Sequence, residues 1–329
     1  MNEPLDLLTI GDATMDVFLI PTESDVLCSL NDKDCQVCFT YGAKIPVKSM
    51  EFSIGGNAAN NAIGTRRLGI KTAIVVSLGD DSVGKMIVDR LVSENVATNF
   101  VHEQTGSISN YSTIIRYQGE RTIFTYHAPR IYEFPNNLPF TNWVYLTSLG
   151  ENFRPFYDQV VKWISPQTKL AFNPGSWQLK NGIDSISDVI AKTYLLFVNR
   201  EEAETLTKLT DSDGKEKQLL KALFDLGVKV PVVTDGNNGS FCFDGNVYIQ
   251  AGILPIEATE RTGAGDAFGS GVLSALIKGK TLKEAIVWGT VNSTSVIGFT
   301  GSQKGLVRES EMEAWLAKAK EMKMKIEEF

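Results

Sequence analysis

From about residue 140 to residue 233, short apolar runs alternate with stretches of helical length, and few architectures tolerate that rhythm. The runs fall at 143–146, 169–172, 195–198 and 229–233, separated by helical segments around 155–164, 184–192 and 200–225. Strands joined through helices run parallel, and a parallel sheet is covered on both faces. The pattern therefore predicts a doubly wound α/β fold, with a mostly parallel sheet flanked by helices. Residues 5–10 fit the same sheet: a nearly unbroken apolar run ends at Gly11-Asp12, as a strand buried on both faces requires. A helix over 57–68 follows, with Asn57 as N-cap and Gly69 as C-cap, then a strand over 72–77 and a helix over 81–94. Antiparallel strands are expected near 239–243 and 246–250, and helices over 264–278, 282–297 and 309–327 close the chain.

Two segments depart from this rhythm. Residues 22–48 are polar and cysteine-bearing, and end in the alternating Gln36-Val37-Cys38-Phe39-Thr40-Tyr41. Residues 109–117 and 121–127 read as a hairpin turning at Gln118-Gly119-Glu120, with one wet face. Together they predict a small β-sheet lid, its strands inserted at about 22–54 and 107–130 of a single domain spanning 1–329. No repeat or low-complexity linker divides the chain, and 43% hydrophobic residues over 329 positions suffice for one large core.

Asp and Glu number 39 against 32 Lys and Arg, a net charge of −7. That balance speaks against a broad nucleic-acid surface, which needs clustered cations, but leaves room for a small anion held by local N–H groups. No basic segment precedes a long apolar run at the N-terminus, and the apolar stretches fall short of a membrane span. A cytoplasmic protein with neither nucleic-acid nor membrane partner is expected, and three glycosylation sequons then carry little meaning. Cys28, Cys35 and Cys38 have a zinc-like spacing but lack a fourth ligand, His102 and His127 being the only histidines. Reduced thiols are the expected state of all four cysteines.

Chemistry concentrates in Thr262-Gly263-Ala264-Gly265-Asp266-Ala267-Phe268, directly before an apolar, small-residue helix. Gly263 and Gly265 let the backbone approach a ligand and turn consecutive N–H groups toward it, and a helix N-terminus favours an anion. A carboxylate at Asp266 opposes such an anion unless it has work to do, such as taking a proton from an attacking hydroxyl. Taken alone, the segment is equally a capped, glycine-softened helix start. It is neither a Walker A loop nor a Rossmann fingerprint: its spacing is G-x-G-x-x-x-G, late in the chain, and Gly279-Lys280-Thr281 closes a helix. A second glycine turn, Ser53-Ile54-Gly55-Gly56-Asn57-Ala58-Ala59-Asn60-Asn61, also enters a helix, and its amides suit a polyhydroxylated ligand.

The pair 55–69 (GGNAANNAIGTRRLG) and 260–276 (ERTGAGDAFGSGVLSAL) resembles the two signatures of the ribokinase-like, or PfkB, carbohydrate kinase family. The resemblance covers nearly the whole chain, with intermediate landmarks in the family's order. It implies an ATP-dependent kinase that phosphorylates a hydroxyl of a sugar or nucleoside, with Asp266 as base and Gly263, Ala264 and Gly265 as anion hole. It further implies substrate contacts at Asp12, Asp16, Gly55, Gly56, Asn57 and Asn60. Nucleotide contacts are implied at Asn199, Thr234, Gly236, Gly239, Gly265 and Asn292, and Mg²⁺ contacts at Asn199 and Glu202, in Asn199-Arg200-Glu201-Glu202. A homodimer through the lid is also implied. Where the family usually reads Asp-Thr-Thr this chain has Glu260-Arg261-Thr262, so potassium, bound in the family by backbone oxygens of that stretch, stays an open cofactor.

The substrate is left among sugars, sugar acids, phosphosugars and nucleosides. Arg116, Arg121 and Arg130, in or beside the second hairpin, either meet an anionic substrate or stand as solvated edge charges. Two rivals stand beside this reading: a non-catalytic sugar- or nucleotide-binding module, disfavoured by the intact Asp266, and a pyridoxal-type vitamin kinase, disfavoured by Gly55–Asn60.

Overall fold

The computed structural model describes residues 5–22, 25–28, 35–117 and 120–329. Its strands run β1 (Leu7–Ile10), β2 (Thr14–Pro21), β3 (Asp25–Cys28), β4 (Cys35–Cys38), β5 (Val47–Gly55), β6 (Thr72–Gly79), β7 (Ala97–Gln104) and β8 (Asn110–Tyr117). They continue as β9 (Glu120–Tyr126), β10 (Trp143–Thr147), β11 (Lys169–Asn173), β12 (Thr193–Asn199), β13 (Val230–Thr234), β14 (Ser240–Phe243), β15 (Tyr248–Ala251) and β16 (Ile326–Glu328).

Among the described residues ten strands form one sheet, in the order β16-β15-β14-β13-β12-β11-β10-β1-β6-β7. Pairing is parallel from β13 through to β7 and antiparallel from β13 out to β16. The fully apolar runs predicted from sequence are the central strands: β1, β6 and β10 are buried along their whole length. One apolar cluster, with Leu8, Ile10, Leu146, Phe172 and Tyr157, fills one face of the sheet, and another, with Leu7, Tyr145, Phe197, Phe268 and Trp288, fills the other. The doubly wound architecture is the expected one. The chain leaves β1 for β6 and β7 on one side and returns to β10 on the other, which opens a crevice at the carboxyl ends of β1 and β10.

The lid is a four-stranded sheet in the order β5-β2-β8-β9. It is mixed rather than wholly antiparallel, because β2 and β8 run parallel while β5 and β9 pair as antiparallel edges. Its first strand, β2, begins at Thr14, ahead of the expected insertion at 22, since Met15, Val17 and Phe18 are apolar enough to be buried. Part of the expected 22–48 segment forms instead a separate β3–β4 hairpin, with Cys28 opposite Cys35 in register. Residues 23–24 and 29–34 of that segment, and Gln118 and Gly119 of the second hairpin's turn, lie outside the described residues. Cys35 is disulfide-bonded, which corrects the expectation of reduced thiols at that position; Cys38 and Cys242 are free.

Three helices carry the site. Helix Ala264–Ile277 is buried over almost its whole circumference, between helices Asn57–Arg67 and Leu282–Ile297. Missing side chains allow this packing: a Cβ on Gly271 would sit 2.7 Å from the Trp288 carbonyl oxygen, and one on Gly289 2.6 Å from Val272 Cγ2. The 200–225 segment, expected as one helix, is two, Arg200–Thr207 and Glu216–Asp225, because Lys208, Asp211 and Gly214 all adopt positive φ between them. Helix Asn57–Arg67 is capped by Gly56 and Leu68, one residue earlier at each end than expected.

Candidate active site

The carboxyl ends of the parallel strands gather most of the residues singled out from sequence. Gly11-Asp12 follow β1, Ser148 follows β10, and β12 and β13 end at Asn199 and Thr234. Two cavities lie along this edge. The first, of about 220 Å³, is lined by Asp12, Thr14, Asp16, Gly56, Asn57, Asn60, Asn110, His127, Ser148, Thr262, Gly263 and Asp266. The second, of about 320 Å³, has polar walls at Thr234, Gly236, Gly239, Thr290 and Thr294, and apolar ones at Ile253, Leu254, Phe268 and Ile297. The turn into helix Ala264–Ile277 divides them: Gly263 and Asp266 face the first cavity, Ala264 and Gly265 the second. A group bound in one cavity therefore lies across this turn from a group bound in the other.

Asp266 sits in the first turn of its helix, where its carboxylate accepts a hydrogen bond of 2.8 Å from Asn60 Nδ2. Asn60 is held in turn, its Oδ1 accepting from Ser302 Oγ at 2.8 Å and Gln303 Nε2 at 3.1 Å. Asn60 is thus a positioning residue for Asp266 as well as part of the cavity wall. Burial raises the Asp266 pKa to about 6, while the Asn60 hydrogen bond pulls it down. Asp16 is likewise raised to about 6 by burial, with Glu260 and Asp266 adding like-charge repulsion and a Ser112 hydrogen bond opposing. Burial lifts Asp12 to about 7, against the pull of Arg130 and of Tyr132, whose hydroxyl donates to Asp12 at 3.4 Å and accepts from the Gly150 N–H. Three carboxyl groups raised toward neutrality in one cavity are poised to exchange protons with a hydroxylated ligand.

The two glycine turns frame this cavity. Gly56 has φ +91°, and a Cβ there would lie 2.6 Å from Ala13 Cα. A Cβ on Gly55 would run into the Asp16 carboxylate, so Gly55 supports Asp16 from behind without lining the cavity. Gly263, at φ +77°, caps the second helix, and a Cβ there would lie 2.7 Å from Ser302 Cα. Gly265 differs from all of these: a Cβ on it would meet nothing within 4 Å. Ala264 N–H bonds the Arg261 carbonyl at 3.3 Å, whereas the Gly263 and Gly265 N–H groups make no bond among the described residues.

Other expected residues fall elsewhere. Asn292 is fully buried and does not line the second cavity; its amide donates to the Ala267 carbonyl and Ser270, and accepts from the Val307 N–H. It braces two helices, while its neighbours Ser293 and Thr294 reach the cavity. Asn199 and Glu202 line neither cavity and form a capping box, Asn199 N–H to Glu202 Oε2 at 2.8 Å and Glu202 N–H to Asn199 Oδ1 at 2.9 Å. Burial, with Asp266 adding repulsion, raises the Glu202 pKa. Among the described residues no three His, Cys, Asp or Glu side chains converge as a metal cage. A Mg²⁺ ion that borrows most of its ligands from phosphates and water does not need one, and Glu202 keeps Oε1 outside the capping box.

The three hairpin arginines meet protein groups. Arg116 donates to Thr300 Oγ1 at 3.0 Å and to the Thr259 carbonyl at 3.4 Å, and Arg121 pairs with Glu260 at 2.8 Å. Arg130 is buried, donating to Ser107 Oγ and the Ile108 carbonyl, both at 2.6 Å. Sequence reading missed Thr14, Asn110, His127 and Ser148 in the acidic cavity. Nothing local marks them, since each is brought there by the lid pairing or by the end of a strand. The Glu260 carboxylate keeps one oxygen, Oε2, buried without a hydrogen-bond partner, an environment compatible with a cation.

Known proteins place this geometry. Residues 7–308 match the model of the pfkB family carbohydrate kinases. The ATP-dependent 6-phosphofructokinase of Thermoanaerobacterium thermosaccharolyticum is 28% identical over 314 residues, 92% of this chain and 90% of that protein. The Arabidopsis thaliana ribokinase complexed with ribose and ATP has a TM-score of 0.78 at 21% identity, over 95% of this chain and 99% of that one. A putative Ribokinase II of E. coli, in complex with ATP and Mg²⁺, has a TM-score of 0.76 at 17% identity, over 96% and 100%. The fold is the ribokinase fold, and the enzyme class is that of phosphotransferases with an alcohol group as acceptor. The chain belongs to the pfkB family of carbohydrate kinases.

Proposed function

We propose that this enzyme transfers the γ-phosphoryl group of ATP to a hydroxyl of an uncharged sugar or nucleoside, bound in the acidic cavity, with Asp266 as general base. One observation carries the reading: the turn 263–266 divides two cavities, with a carboxylate on one side and free backbone N–H groups beside it. Asp266 accepts the hydroxyl proton; the oxygen forms a bond to the γ-phosphorus as the bond to the β-phosphate oxygen breaks, and ADP leaves. Gly263 and Gly265 N–H groups hold the developing charge, with Ala264 contributing less because its N–H already bonds Arg261. Asp12, Asp16 and Asn57 hold the acceptor's other hydroxyls. Three acids in about 220 Å³ favour a neutral polyol over an anion at that spot.

ATP's base and ribose fit the second cavity, with Thr234, Gly236 and Gly239 on its wall. Glu202 and Asn199 are the residues that would hold the hydration shell of Mg²⁺, which would supply charge neutralisation to the phosphates. ATP bound in the Arabidopsis ribokinase, and ATP with Mg²⁺ in the E. coli protein, support both ligands. We take the chain as one kinase domain acting in the cytoplasm, where its ATP is supplied. We also take it to dimerise through the lid, whose strands expose Met50, Phe52, Ile123 and Phe124.

A phosphosugar acceptor is the second reading, carried by the 6-phosphofructokinase relative that spans 92% of this chain. ATP consumption measured across sugars, sugar acids, phosphosugars and nucleosides tests both. Fastest turnover with a free sugar or nucleoside supports the first reading, fastest turnover with a phosphosugar supports the second, and a vitamin-type alcohol as best acceptor would overturn both.

A further inference from the structure

We infer that Arg121, on the lid, is a positioning residue for the anion hole, acting through Glu260 so that lid and phosphate loop move as one unit. The inference rests on the kinase reading of Gly263 and Gly265. Glu260 lies three residues before Gly263, and its side chain is only 4% exposed. Its Oε1 accepts from the Thr262 N–H at 2.8 Å and from the Thr262 hydroxyl, and the same oxygen takes Arg121 Nη1 at 2.8 Å. One carboxylate oxygen thus ties a lid strand to the residue that sets the entry into Gly263.

A buried carboxylate stripped of its counter-charge is strongly unfavourable, and the cation on Glu260 comes from the lid rather than from the body. Arg116 strengthens the tie. It is the cross-strand partner of Arg121, and it holds Thr300 and the Thr259 carbonyl, so the hairpin grips Glu260 and the residue before it. When the lid lifts, Arg121 leaves, Glu260 is uncompensated, and Thr262 loses the fixed acceptor that orients it. A closed lid therefore also completes the anion hole and shields it from water. Arg121 and Glu260 line neither reaction cavity, so the effect is on geometry and not on ligand contact.

Hydrogen exchange of the 258–266 segment in the ligand-free protein reads the latch without using catalysis. Arg121→Met keeps the aliphatic stem and is expected to speed exchange of that segment about tenfold, with Arg121→Lys intermediate. In turnover, Arg121→Met is expected to lower kcat about tenfold while the Kd for ATP stays within about twofold. Adding Glu260→Gln to Arg121→Met is expected to cost little more, because the neutral amide needs no counter-charge. Exchange and kcat unchanged in Arg121→Met, or losses that simply multiply in the double variant, would overturn the latch. A wild type that phosphorylates no acceptor removes the kinase reading instead, and the exchange comparison still decides whether Arg121 orders the loop.

Discussion

Both glycine turns lead into a buried helix and both border the acidic cavity, yet their glycines are needed for different reasons. At Gly55 and Gly56 the protein itself fills the missing side chain's space, with the Asp16 carboxylate against one and Ala13 against the other. Those glycines are demanded by folding, and they fix Asp16 in place. At Gly263 the neighbour is Ser302, which again is packing. At Gly265 no atom beyond its own helix turn comes within 4 Å of where a Cβ would stand, and its backbone does not need a positive φ. A glycine in a helix's first turn with no packing demand points to something outside the protein that approaches the backbone. Gly55, Gly56 and Gly263 thus hold the site together, while Gly265 alone leaves room, which on the proposed mechanism the transferring group occupies.

The strongest way to break this picture is at Asp266. Asp266→Asn keeps the shape and the Asn60 contact while removing the proposed base, and a loss of about 10³-fold in kcat is expected in a steady-state ATP assay. The same variant removes a carboxylate whose folded pKa lies well above 3.8, so its unfolding midpoint at pH 8 should rise rather than fall. Gly55→Ala should act on the other side of the comparison. It pushes Asp16 out of place and is expected to lower stability by about 1–3 kcal/mol, seen as an earlier denaturation midpoint.

Smaller effects sharpen the roles inside the cavity. Asn60→Ala removes a hydrogen bond that lowers the Asp266 pKa, so kcat should fall about tenfold and the acid limb of the kcat/KM profile should move to higher pH. In the wild type that limb is expected near pH 6, where Asp16 and Asp266 become protonated as pH falls. Stability runs the other way. Both folded pKa values are raised above 3.8, so protonation favours the folded state, and these groups lend stability below 3.8 that is lost as pH rises through 6. Activity and this contribution to stability should therefore move in opposite directions between pH 4 and pH 7.

Much of the scaffold was legible because burial on both faces leaves a mark on sequence. Strands β1, β6 and β10 are apolar runs with no polar alternation, and nothing else of that length fits them. Strand β7 escaped notice because its exposed Asn99 and Glu103 and its half-buried His102 blur the pattern at the sheet's edge. Strand β2 was hidden by its own Asp16 and by Asp12 just ahead of it, acids that suit a loop although both are buried here. At the site, the glycine turns and Asp266 were visible as local motifs. Asn292 sits fully buried as a brace between helices, and Arg121 forms a latch with Glu260. Those pairings join residues 25 and 139 positions apart, and only the folded chain brings them together.

The comparison of the two turns is tested most directly by Gly265→Ala, with turnover and thermal unfolding measured on the same preparation. The expected result is an unfolding midpoint at or slightly above wild type, because alanine is the better helix former and finds open space, and a fall in kcat of about 10²-fold. Wild-type turnover in that variant would mean that no transferring group approaches Gly265, and the division of labour between the two glycine turns would not stand.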